Sequence, residues 1–393
     1  MNHLRSVLRS LVNSIGSLES NRLRRATWKE CEVMRVLIVD DSTLFRKVVR
    51  DALAVCPGVE VVGVASDGKT ALEKIDYYRP DLVTLDVEMP VLNGIEVLRE
   101  LQTRPHRPEV IMLSALTDQG AVCTTQALRL GAFDFVLKPS SQSNIEDSCQ
   151  QLRSDLLPKV RVLQDRLANR QNRLEERVSD PKDIFVPTPG DKPFDASQAA
   201  VVGIGISTGG PAALSNLLPK LPANLGVPLL IVQHMPPMFT KSLASDLNRA
   251  SKITVCEAEE GQAILPGTAY IAPGGKQMKV VTENGAKVIH ITDDPPERSC
   301  RPSVDYLFRS IAHEYGRKAM ALVMTGMGDD GTLGCRLLKR HGCMVVAQDE
   351  KSCVVYGMPR QVVSSGLADK VVPLDQLHEV IQCAGVKGAG ICR

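Results

Sequence analysis

Short apolar runs recur along the first third of the chain: Val36–Val39, Val59–Val64, Leu82–Leu85, Val110–Leu113 and Phe133–Leu137. Each is followed by apolar residues at helical spacing, as with Leu44, Val48, Val49 and Leu53 after the first. Short buried strands alternating with amphipathic helices predict a parallel sheet covered on both faces. From Ile145 to about Glu176 the chain is charged and helix-prone, with no strand pattern. It passes into SDPKDIFVPTPGDKPFDASQ, where four prolines and little periodicity read as an interdomain linker. Strand–helix alternation resumes at Ala199 and runs to about Val386. The expected organisation is an extension (1–34), an α/β domain (35–140), a helical and Pro-rich linker (141–198), a second α/β domain (199–386) and a flexible tail (387–393).

A length of 393 residues suits two or three domains, and 44% hydrophobic with 23% charged residues is ordinary globular composition. A net charge of +2 and 4% aromatics argue against nucleic-acid binding. No continuous apolar stretch is long enough for membrane insertion, and the basic N-terminus lacks an apolar signal core. Residues 1–33 read as a loose extension, because a domain pattern begins at MRVLIVDDS. Eleven cysteines without a C-x-x-C pair argue against a structural zinc site and fit reduced thiols in a cytoplasmic protein.

The first domain gathers carboxylates at its strand ends. Asp40 and Asp41 follow the first strand and Asp86 ends the third. Carboxyl ends of neighbouring strands converge on the ligand crevice of a doubly wound sheet. Three carboxylates there call for a hard cation such as Mg²⁺. Ser114 and Lys138 end the fourth and fifth strands, placing a hydroxyl and an ammonium beside the same crevice. A single Asp at a strand end is most often a helix cap; five polar strand ends in this order are not explained that way.

The second domain opens on GIGISTGGP, Gly203 to Pro211. As a dinucleotide loop it fails: Thr208 stands at the third glycine position, and the next strand ends in Gln233 and His234 rather than a carboxylate. As a strand-to-helix turn it presents Ser207, with helix-start amides nearby for an oxyanion. A serine here could equally be a helix cap. His234 and the pair Asp329/Asp330 also follow predicted strands, so Ser, His and Asp meet at one sheet edge in the roles of a serine hydrolase. Spacing alone does not choose between the two aspartates.

The strand-end set of the first domain resembles the receiver domain of response regulators, a flavodoxin-like fold. That resemblance makes Asp86 the phosphorylation site, Asp40, Asp41 and Asp86 the Mg²⁺ ligands, and Ser114, Phe135 and Lys138 the switch. GISTGGP, QHMPPMFT, ILPGTAYIAPGG, RPSVDYLF, VMTGMGDDG and VVYGMPR together resemble the Rossmann-like catalytic domain of the chemotaxis response-regulator protein-glutamate methylesterases (CheB-type). By this resemblance the triad is Ser207, His234 and Asp330, supported by Thr208 and by the Met327 amide as an oxyanion donor. Many relatives carry a His where this chain has Cys300. Arg298 and Arg301 could dock an acidic helix or be solvated, and Tyr356–Arg360 could line the cleft or form a turn.

The resemblance implies a phosphorylation-activated esterase that removes methyl groups from chemoreceptor glutamates and deamidates receptor glutamines. Its phosphodonor would be the chemotaxis histidine kinase, and ester hydrolysis would need no cofactor. The expected state is a cytoplasmic monomer. Two other readings stay open: a nicotinamide-dependent enzyme and a non-catalytic phosphoswitch.

Overall fold

The computed structural model describes residues 33–139, 145–175 and 199–384. The extension before Val33, the Pro-rich stretch 176–198 and the expected tail lie outside the described residues. The first unit contains β1 (Met34–Val39), α1 (Thr43–Leu53), β2 (Val59–Ala65), α2 (Gly68–Tyr78) and β3 (Leu82–Asp86). It continues with α3 (Gly94–Leu101), β4 (Glu109–Ser114), α4 (Asp118–Arg129) and β5 (Asp134–Leu137). Side chains of Ser42, Asp67, Asn93 and Thr117 cap the four helices, which fixes where each strand-end loop turns into its helix. The strands are parallel in the order β2-β1-β3-β4-β5, the flavodoxin-like winding.

The charged segment forms one helix, α5 (Ile145–Glu175). Leu152, Leu156, Val160 and Leu163 make its buried stripe, packed in one cluster with Val48, Val49, Ala52 and Leu53 of α1. The helix is therefore bound to the first unit rather than free between the two.

The second unit runs through β6 (Val201–Ile206), α6 (Gly210–Leu217), β7 (Leu229–Gln233), α7 (Phe239–Ala250), β8 (Thr254–Glu257) and β9 (Thr268–Ile271). A hairpin of β10 (Gln277–Glu283) and β11 (Ala286–Thr292) follows, then α8 (Val304–Tyr315), β12 (Ala319–Val323) and α9 (Thr332–Arg340). β13 (Met344–Gln348), α10 (Met358–Ser364), β14 (Lys370–Val372) and α11 (Leu377–Gln382) complete it. Seven parallel strands lie in the order β14-β13-β12-β6-β7-β9-β8. The chain leaves β6 towards β7 and returns on its other side as β12, so the carboxyl ends of β6, β7 and β12 flank a switch point.

One feature departs from the parallel pattern the sequence predicts. The antiparallel β10–β11 hairpin turns at Asn284 and Gly285, both at positive φ (50° and 80°), the primed-turn signature that Asn-Gly supplies. The glycines of the opening motif serve packing and the turn. A Cβ on Gly205 would lie 2.4 Å from Val304 Cγ1, so its absence lets the start of α8 approach β6. Gly209 sits at φ 78° and caps α6, so Ser207 is not the capping residue.

The two units meet along α4 and β5 of the first and α6 and α7 of the second. Leu128 and Phe135 join Phe239 and Leu243 in one buried apolar cluster. The rings of Phe135 and Phe239 stack with centroids 4.9 Å apart and planes 7° from parallel.

Candidate active site

Asp330 is the fixed point of the site. Its buried carboxylate accepts from the Val304 amide (2.7 Å), the Asp305 amide (2.9 Å) and the Ser303 hydroxyl (3.0 Å), all at the start of α8. A helix N-terminus favours such an anion. Burial alone would raise the Asp330 pKa; the His234 bond and charge, with these amides, outweigh it and hold the carboxyl below its usual value.

The remaining Asp330 contact is to His234, whose Nε2 lies 2.8 Å from Oδ2. A carboxylate only accepts, so Nε2 carries the hydrogen. Nδ1 is then the free nitrogen of the neutral ring. Cys300 Sγ stands 3.9 Å from it. Burial pushes the imidazole pKa down, but the bond to Asp330 and the Cys300 contact prevail and hold it at about 9.

Ser207 follows β6 directly. Its amide donates to Thr325 O (3.0 Å), and its carbonyl accepts from the Gly210 amide (2.8 Å) and Gln233 Nε2 (3.0 Å). The backbone is thus pinned, while the hydroxyl has no hydrogen-bond partner among the described residues and faces a cavity shared with His234, Cys300 and Met327. Because the Ser207 amide is engaged, it is unavailable to an oxyanion. The amides of Thr208 and Met327 donate to no acceptor among the described residues.

Asp329 turns the other way: it is half-exposed and ion-paired with Arg298. Arg298 also lies 3.4 Å from Asp305, and Arg301 donates to the Asp293 carbonyl (3.4 Å). Tyr356 and Arg360 line a second cavity against Val162 and Arg166 of α5.

In the first unit, Lys138 Nζ lies 2.7 Å from Asp40 and 2.6 Å from Asp86. Oxygens of Asp40, Asp41 and Asp86 lie within 4.8 Å of one another, an all-carboxylate set that fits a hard divalent cation. Burial is the largest influence on Asp86; with Asp40 opposite and Lys138 only partly offsetting, its pKa rises to about 6. Ser114 Oγ accepts from Thr124 (2.7 Å) and sits 3.4 Å from the Gly120 carbonyl, so it is held towards α4.

The active cavity, about 510 Å³, has walls from both units: Leu128, Asp134, Phe135, Pro158 and Lys159 on one side, Ser207, His234 and Asp330 on the other. Asp134 Oδ2 accepts from Thr208 Oγ1 (2.8 Å) and pairs with Lys159 of α5 (2.5 Å). Thr208, expected as support for the nucleophile, is therefore also the residue the first unit grips.

A family description, CheB methylesterase, matches residues 202–381, and a second, response regulator receiver domain, matches residues 36–150. A protein from Desulfotalea psychrophila named protein-glutamate methylesterase/protein-glutamine glutaminase is 50% identical over 357 residues, 88% of this chain and 97% of that protein. One of the same name from Bacillus subtilis is 41% identical over 350 residues, 88% of this chain and 96% of that one. The chain belongs to the protein-glutamate methylesterase/protein-glutamine glutaminase family. A crystal structure titled as the Thermotoga maritima CheB methylesterase catalytic domain is also similar: 42% identical, covering 47% of this chain and 97% of that one, with a TM-score of 0.46.

In this methylesterase-family chain, the described residues include every residue singled out for catalysis, phosphorylation or switching. Ser207, His234 and Asp330 share one cavity; Asp40, Asp41, Asp86 and Lys138 share the other site. Sequence reasoning missed Asp134, Lys159 and Phe239. No motif marks Asp134 or Lys159, and Phe239 sits in the QHMPPMFT motif without any sign of its role; all three matter through contacts between distant segments.

Proposed function

We propose that this chain is a phosphorylation-activated hydrolase of chemoreceptor γ-glutamyl methyl esters and glutamines, with Ser207 as nucleophile and His234 acting through Nδ1. The observation that carries the reading is the His234 ring. Its Nε2–H is committed to Asp330 at 2.8 Å, which turns Nδ1 towards a cavity shared with the unpaired Ser207 hydroxyl.

Nδ1 takes the Ser207 proton as Oγ attacks the ester carbonyl, and Asp330 supports the imidazolium. The Thr208 and Met327 amides are the candidate donors to the oxyanion. His234 then protonates departing methanol, and water, deprotonated by the same nitrogen, releases the glutamate. An imidazolium with a high pKa survives at neutral pH to protonate an amine leaving group, which suits the glutaminase reaction as well. Nothing in this sequence of steps requires a cofactor.

Control falls to the receiver. Asp86 takes a phosphoryl group from a histidine kinase, with Asp40, Asp41 and Asp86 as the residues to hold Mg²⁺, which would neutralise charge around the transferred group. Lys138 would exchange its carboxylate partners for phosphoryl oxygens. Ser114 would leave Thr124, and Phe135, on β5 three residues before Lys138, would repack off Phe239. In the unphosphorylated arrangement β5 and α5 wall the cleft, and a receptor helix about 10–12 Å across needs it open. The enzyme is taken to act as a cytoplasmic monomer, and among the described residues no helix is long and apolar enough to cross a membrane.

The test is methanol release from methylated receptor membranes. Wild type should release it and Ser207→Ala should not; equal release by the two would remove Ser207 from the mechanism, and none by either would favour a binding-only phosphoswitch.

A further inference from the structure

We propose that Cys300 Sγ and His234 Nδ1 form an inhibitory binding site for a borderline-soft divalent transition metal, Zn²⁺ by preference, inside the catalytic cleft. Sγ and Nδ1 are 3.9 Å apart. A tetrahedral zinc with its usual bonds to sulfur and imidazole holds such a pair about 3.5 Å apart, so a few tenths of an ångström closes the site. The ring is already set for it. Metal-bound histidines donate their other N–H to a carboxylate, and His234 Nε2 does so to Asp330. One ligand-capable atom from each of His234, Cys300 and Asp330 lies within 4.8 Å of the others, so the cluster is more than an isolated thiol.

Cys300 is a free, partly exposed thiol, and the cavity of about 510 Å³ leaves room for water at the remaining positions. Binding is a simple exchange: the thiol proton and the proton on Nδ1 of the charged ring go to solvent, Nδ1 contributes the freed lone pair, and the metal gives up two waters. The donor set separates this site from the receiver's. Sulfur and imidazole select zinc-class ions, whereas the oxygens of Asp40, Asp41 and Asp86 suit Mg²⁺. Inhibition follows if Nδ1 is the base, and that part rests on the hydrolase reading above; occupancy does not.

The experiment keeps the two apart. Full-length protein, reduced and stripped with a chelator, is titrated with Co²⁺ and followed by the thiolate-to-cobalt absorption in the near ultraviolet. Wild type should show a band that Zn²⁺ displaces, and Cys300→Ser and His234→Ala should each lack that component. In parallel, Zn²⁺ is titrated into the methanol-release assay without Mg²⁺, each protein normalised to its own metal-free rate. Cys300→Ser should need about tenfold or more Zn²⁺ for the same inhibition. Identical cobalt spectra for wild type and Cys300→Ser would overturn the site. A Cys300-dependent band without loss of methanol release would overturn the inhibitory role and count against His234 as the base.

Discussion

The receiver carboxylate of Asp134 and the hydroxyl of Thr208, the residue after Ser207, are hydrogen-bonded at 2.8 Å. One bond therefore joins the sheet of the first unit to the turn that presents Ser207, the proposed nucleophile. Lys159 shares the same Asp134 oxygen at 2.5 Å, so the linker helix closes the clasp from a third direction. Asp134 begins β5 and Lys138 follows its end. A signal at Asp86 that moves Lys138 thus acts on the strand carrying the clasp.

Loosening this clasp should raise basal activity. Asp134→Ala removes hydrogen bonds to a charged acceptor, each worth about 1.5–3 kcal/mol, and shifts the domains towards separation. Unstimulated methanol release should increase several-fold, with little effect on the phosphodonor-saturated rate. A lower basal rate would mean that Asp134 supports the catalytic turn instead of restraining it.

The neighbouring aspartates should separate cleanly. Asp330→Asn replaces the carboxylate that fixes the His234 tautomer, and a change of that kind costs about 10⁴-fold in kcat. Asp329→Asn breaks an exposed ion pair with Arg298, worth about 1 kcal/mol at most, and should leave kcat within a few-fold. Steady-state kinetics on both variants would show a misassigned partner if Asp329→Asn were the slower.

His234 gives the pH dependence. Its folded pKa of about 9 exceeds the ordinary histidine value of about 6.5, so the protonated ring favours the fold. That contribution is complete below about pH 6.5 and is lost as pH rises through about 9. If His234 is the general base, as proposed, it needs the neutral ring, so kcat/KM should climb across the same window. Asp330→Asn should move the rising limb to lower pH and flatten the loss of thermal stability. A limb unmoved by Asp330→Asn would contradict the assignment.

Asp86 shows the opposite sign. A carboxyl raised to about 6 holds its proton in the folded state, so stability falls as pH climbs from about 4 through 6. Asp86→Asn should therefore stabilise the metal-free protein at pH 7, by up to about 3 kcal/mol. The gain should shrink when Mg²⁺ is added to wild type. Thermal unfolding with and without Mg²⁺ measures both effects.

The strand ends were legible because the residues proposed for the two sites end or directly follow buried strands. Asp86 and Ser114 end buried strands, Ser207 and His234 directly follow theirs, and apolar runs mark each of them. The hairpin carried a readable signal, Asn284-Gly285 between alternating runs, which the strand–helix rhythm on either side obscured. Asp134, Lys159 and Phe239 were not legible in principle: their roles arise from contacts across 74, 25 and 104 positions of sequence, and no period or motif encodes a domain interface. Cys300 stood out as a departure from the family pattern; its place beside Nδ1 needed the fold.

The most direct test of the account is methanol release from methylated receptor membranes by full-length protein, with and without a small-molecule phosphodonor and Mg²⁺. Wild type should show a low basal rate that rises several-fold with phosphodonor. Asp86→Asn should keep the basal rate and lose the rise. A wild-type rate indifferent to phosphodonor, or an Asp86→Asn rate that rises equally, would contradict control of the Ser207 cleft by the receiver.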